Sequence, residues 1–89
     1  MRRPLRTSRV KKDVELARKR GKNLAKLRMV MQQLIDEVPL QPRHRDHALV
    51  GKYRNRRECH LEPDWLLIYK LEGNNIIFER SGTHADLFR

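Results

Sequence analysis

Cysteine, glycine, proline and aromatic residues are all scarce in this 89-residue chain, which holds one Cys, four Gly, four Pro, one Trp, two Tyr and two Phe. The lone Cys59 excludes an internal disulfide and fits a reducing cytoplasm. No apolar run approaches the ~20 residues that cross a bilayer, and the basic opening Met1-Arg2-Arg3-Pro4-Leu5-Arg6 lacks the apolar core of a signal peptide. A cytoplasmic protein with no membrane partner is expected. The few glycines form neither GxxxxGK[ST] nor GxGxxG, which argues against nucleotide-dependent catalysis. Acidic residues are outnumbered, 11 against 21 Lys and Arg, for a net charge of +10. Nucleic acid, an acidic protein, or both are the natural partners of such a surface. The length suits a single domain, residues 1–89, with a modest core.

Two amphipathic helices open the chain. Val10, Val14 and Ala17 recur at helical spacing between Ser8 and Arg20, and Gly21 supplies a stop. Asn23 is an N-cap for a second helix, whose stripe Leu24, Leu27, Met31, Leu34 and Val38 runs on until Pro39. After a Pro-flanked loop over residues 39–45 the period changes. Arg56–Glu62 alternates as a strand, Pro63-Asp64 turns, and Trp65-Leu66-Leu67-Ile68-Tyr69 reads as a strand covered on both faces. Gly73-Asn74 is a hairpin turn into Ile76–Arg80, and residues 2–6 could add an edge strand, the one place that tolerates Pro4. The fold class is therefore α+β: two N-terminal helices on a small antiparallel sheet of three or four strands, with the other face partly open for a ligand.

Three segments bordering these strands hold the reactive side chains: Asp46–Gly51, Glu58–Trp65 and Arg80–Phe88. Imidazoles exchange protons near neutral pH, guanidinium groups hold phosphate and aromatic rings stack on bases. Together they suit a metal-independent ribonuclease. His44, flanked by Arg43 and Arg45, reads as part of a solvated basic cluster. A zinc site is disfavoured by the absence of paired cysteines and of a His-Glu-x-x-His helix. Cys59 and His60, neighbours on a strand, point to opposite faces, so Cys59 reads as a core filler. The basic residues from Lys11 to Arg28 are either a solvated helical face or phosphate contacts.

The order Asp46-His47-x-Leu49-x-Gly51, Arg57-x-x-His60-x-x-Pro63-Asp64-Trp65-x-Leu67-Ile68-Tyr69 and Arg80-x-Gly82-Thr83-His84-x-x-Leu87-Phe88 resembles the YafQ branch of the RelE/ParE toxin superfamily. That resemblance implies a RelE-like microbial RNase fold, two helices on a curved sheet, and an mRNA endonuclease acting in the ribosomal A site without metal or cofactor. It implies a cognate antitoxin as partner, through which alone operator DNA would be bound. It makes His47, His60, Asp64 and His84 the catalytic set, with Arg80, Trp65, Phe88 and Arg57 binding or positioning RNA. Within it, His84 is the expected general acid, Asp64 with His60 the source of the base, and His47 and Arg80 the phosphate ligands. Trp65 and Phe88 would hold nucleotides. Two departures are the weakly written first strand and the basic run Asn55-Arg56-Arg57. The rival expectations are a ParE-like gyrase poison without nuclease chemistry and a basic nucleic-acid-binding domain built on the two helices.

Overall fold

A computed structural model describes residues 1–88. Its elements are β1 (Arg3–Arg6), α1 (Ser8–Lys19), α2 (Leu24–Ile35), β2 (His47–Ala48), β3 (Arg57–Glu62), β4 (Trp65–Glu72), β5 (Asn75–Gly82) and α3 (His84–Phe88). Short 3-10 turns lie at Pro42–His44 and Gly51–Tyr53.

Local chemistry sets the helix ends. The Thr7 hydroxyl oxygen accepts the Val10 N–H at 3.0 Å to cap α1, and the Asn23 side chain accepts the Ala25 N–H at 3.0 Å to cap α2. The second helix stops at Ile35, three residues short of the expected Val38. Glu37 turns left-handed, at φ 60°, and the Glu37 and Val38 N–H groups donate back to the Leu34 and Gln33 carbonyls. This 6→1, 5→2 pattern closes the helix before Pro39 is reached and leaves Val38 exposed.

The sheet has five strands in the order β1-β5-β4-β3-β2, more than the three or four expected. β1, with Pro4 on the sheet edge, pairs parallel to β5, so the sheet is not wholly antiparallel. The other added strand, β2, is two residues long, too short to show a period, and pairs His47 with Glu58 and Ala48 with Arg57.

Alternation along β4 divides the core. Trp65, Leu67 and Tyr69 join Cys59, Ile76 and Phe78 beneath Val10, Ala17, Leu27, Val30, Met31 and Leu34 of the two helices. The apolar stripe of α2 packs on the sheet, and its outer face exposes Lys26, Arg28 and Gln32. Leu66 and Ile68 point the other way and meet Leu87 of α3, with Leu49 and Tyr53 beside it. The face expected to be partly open carries the C-terminal helix and the Gly51–Tyr53 turn.

Candidate active site

On β3 the residues Glu58 and His60 share the face that carries Leu66 and Ile68, because they pair with Ile68 and Leu66 across the ladder. His47 enters beside them from β2, opposite Glu58. A register shift between His60 and Glu62 ends the regular pairing just before the Pro63-Asp64 turn, which lifts Asp64 toward the start of α3.

The result is a row of rings. His47 and His60 have centroids 6.3 Å apart, His60 and His84 5.9 Å, and His84 and Phe88 6.1 Å. Tyr53 closes the row, edge-on to Phe88 at 5.4 Å, and its hydroxyl donates to the Leu87 carbonyl at 3.1 Å. Three histidines and Phe88, expected from sequence to share a cleft, are therefore neighbours.

Hydrogen bonds define what each ring offers. Asp64 Oδ1 accepts from the backbone N–H of His84 at 2.9 Å and from its Nδ1 at 2.6 Å. A carboxylate can only accept, so Nδ1 carries the hydrogen and Nε2 is left for a ligand. The backbone and then the ring hydrogen bond hold the Asp64 carboxyl below its ordinary range. His60 Nδ1 lies 3.3 Å from the Pro63 carbonyl, which likewise directs its Nε2 outward. His47 is tied at both nitrogens, Nδ1 to the Arg45 carbonyl at 2.5 Å and Nε2 to Glu58 Oε2 at 3.2 Å.

The C-terminal element that delivers His84 is fastened by its own sequence. Thr83 and Asp86 form a reciprocal cap: the Asp86 N–H donates to Thr83 Oγ1 at 3.1 Å and the Thr83 N–H to Asp86 Oδ2 at 3.0 Å. Arg20, at the end of α1, donates to the same carboxylate at 2.8 Å. The Arg20 contact, followed by the Thr83 backbone bond, draws the Asp86 carboxyl far below its usual range.

Three expectations from the sequence need correction, those for Trp65, Arg57 and His44. Trp65 does not reach the cleft: it is 1% exposed, in the core under the helices, with Lys22 Nζ 5.7 Å above its ring. Arg57 lies on the helix side of the sheet, where it pairs with Asp46 at 3.4 Å beside Tyr69, because alternation puts it on the face opposite to His60. Arg80 pairs with Ile68, on the face that carries His60, and is bound to Asp13 at 2.8 Å; the same carboxylate accepts the Ser81 N–H at 2.9 Å along the part of β5 that β1 leaves uncovered. His44 is buried rather than solvated, its Nδ1 donating to the His60 carbonyl at 2.7 Å. Cys59 is a core filler as expected, and burial, with Asp46 and Glu58 nearby, raises its thiol well above the ordinary range.

Glu58, Tyr53 and the Thr83–Asp86 cap escaped the sequence analysis. The signals were present: Glu58 is two residues from His60 on a strand, and Thr83-His84-Ala85-Asp86 has capping-box spacing. Tyr53 had none, since its turn has no period. Among the described residues, no group of three or more His, Cys, Asp or Glu side chains is arranged to hold a metal ion.

The profile described as "Bacterial toxin of type II toxin-antitoxin system, YafQ" matches residues 2–89. The chain belongs to the YafQ toxin family. It is 50% identical over 78 residues to the mRNA interferase toxin YafQ of Escherichia coli K12, covering 86% of this chain and 85% of that one. YafQ in the E. coli DinJ-YafQ toxin-antitoxin complex superposes with a TM-score of 0.92 at 45% identity, over 99% of this chain and 98% of the other. A metal-bound toxin from Helicobacter pylori gives 0.92 at 37% identity, over 99% and 100%. The chain thus shares the fold of these YafQ structures.

Proposed function

We propose that this chain is an mRNA interferase toxin, held in check by a cognate antitoxin, that cleaves mRNA in the ribosomal A site by metal-independent attack of the RNA 2′-OH. The observation that carries it is the adjacency of His60 and His84, 5.9 Å between rings, each with Nδ1 committed to an acceptor and Nε2 directed away from it.

Cleavage of this kind removes the 2′ proton, stabilises the phosphorane and protonates the departing 5′ oxygen. His60 Nε2 takes the 2′ proton, and His84 Nε2 delivers a proton to the 5′ oxygen. Asp64 keeps the His84 ring turned. Its use by His84 at two donors makes it an orienting group rather than the base. General acid and base groups of this kind typically contribute ~10²–10⁴-fold each. His47 faces the developing charge on phosphate, and Phe88, 44% exposed and braced edge-on by Tyr53, supports a base. The 21 Lys and Arg against 11 acidic residues suit both the RNA and an antitoxin with an acidic binding segment.

The test is controlled expression in a bacterial host, with mapping of mRNA 5′ ends. Growth arrest, new ends within translated codons of ribosome-bound mRNA, and relief by the co-expressed antitoxin are expected. Arrest with intact mRNA would point to another target, gyrase included, and overturn the proposal.

A further inference from the structure

The side chain of Glu58 is 6% exposed and sits within the candidate active face, yet one of its oxygens, Oε1, is buried without any hydrogen-bond partner. Buried carboxylates are ordinarily paired at both oxygens, and an exception beside reactive histidines calls for a role. Its other oxygen, Oε2, meets His47 Nε2 at 3.2 Å. The opposite ring nitrogen, Nδ1, is 2.5 Å from the Arg45 carbonyl oxygen, which can only accept. Nδ1 therefore carries hydrogen, and a bare Nε2 would set its lone pair against a carboxylate oxygen. A proton between Nε2 and Glu58 relieves that opposition.

We infer that Glu58 is a positioning residue for the proposed cleavage, keeping that proton on His47 Nε2 so that His47 meets the RNA phosphate as an imidazolium. This rests on the ribonuclease reading above and assigns the base role to His60, whose Nδ1 faces the Pro63 carbonyl instead of a carboxylate. The His47 side chain is 48% exposed, so solvent and the Arg45 carbonyl can share a positive charge on it. Among the described residues, the other titratable or charged groups on this side of Glu58 are His60 two residues along β3, Tyr53 on the 3-10 turn, and Arg80, in register across Ile68 on β5 and held by Asp13, with the Cys59 thiol on the opposite face.

Glu58→Gln isolates the effect. Glutamine keeps the shape and can donate its amide hydrogen to a bare Nε2, so the contact survives while the proton leaves His47. A merely structural Glu58 would tolerate this change, since it removes a buried charge. The experiment reads the His47 ring nitrogens by long-range 1H–15N NMR at neutral pH, together with kcat/KM on an RNA oligonucleotide. In the parent both nitrogens of His47 carry hydrogen; in Glu58→Gln only Nδ1 does, and kcat/KM falls by about tenfold or more, equivalent to ~1.4 kcal/mol. In a His47→Gln background the same substitution changes kcat/KM by less than about twofold, because its effect runs through the ring. Glu58→Asp recovers part of the activity. A bare Nε2 in the parent, or a folded Glu58→Gln variant as active as the parent, overturns the inference. If Glu58→Gln does not fold, the parent spectrum still decides the location of the proton. If the parent cuts no RNA, the ribonuclease reading fails while the spectrum still decides the state of His47.

Discussion

Asp64 Oδ1 accepts two hydrogen bonds from one residue, the backbone N–H and the ring Nδ1 of His84, at 2.9 and 2.6 Å. One carboxylate oxygen thereby fixes both the first turn of α3 and the rotation of the imidazole. Both side chains are more than half exposed, so the pair contributes little to global stability and much to orientation.

Asp64→Asn should therefore lower kcat/KM by about tenfold or more with almost no change in Tm. The pH sign follows from the lowered Asp64 carboxyl: the orienting contact is intact above the ordinary carboxylate range and is lost as pH falls through the depressed folded value. Wild-type activity at mildly acidic pH should accordingly not show an Asp64 titration. Parallel Tm and activity losses in Asp64→Asn would mark a folding defect instead.

Trp65→Ala should unfold or strongly destabilise the chain, by ~3–5 kcal/mol as for other buried aromatic truncations. Denaturant titration checks this. A stable Trp65→Ala protein with weakened RNA binding would restore the stacking role that the sequence suggested.

Phe88→Ala should weaken RNA binding by ~1–3 kcal/mol, the range for one base stacked on an aromatic side chain, while Phe88→Trp retains most of it. Binding to a non-cleavable RNA separates this from chemistry. Unchanged affinity in Phe88→Ala would remove Phe88 from the RNA track.

Gly82→Ala is expected to disturb α3 although Gly82 has no left-handed backbone angle. A Cβ there would stand 2.9 Å from Asp86 Oδ2 and 3.0 Å from Asp86 Cβ, so the cap and its Arg20 contact must give way. His84 would lose its placement, seen as altered His84 ring signals and reduced cleavage. Normal signals and activity would show that α3 can shift as a unit.

The sequence made the long periodic elements legible because helix caps and the alternation of β3 and β4 are local properties. It also made His47, His60, Asp64 and His84 recognisable as a set, through motifs flanking those strands. What it hid depended on the third dimension. The side chain of Trp65 follows the pleat of β4 into the core, and Arg57 follows that of β3 away from His60. Arg80 is engaged by Asp13, 67 residues earlier in the chain, a pairing without a local signature. His44 looked solvated among arginines because its acceptor, the His60 carbonyl, lies 16 residues away.

The central claim, that paired imidazoles direct the RNA's own 2′-OH at phosphorus, is tested most directly by the chemistry of the cut ends. A short A-rich RNA oligonucleotide, free of ribosomes and treated with EDTA, should be cleaved by high concentrations of purified protein to products ending in 2′,3′-cyclic phosphate and 5′-OH. His84→Gln should reduce the rate ~10²–10⁴-fold. Products ending in 3′-OH and 5′-phosphate, or cleavage abolished by EDTA and restored by a divalent metal, would contradict the account.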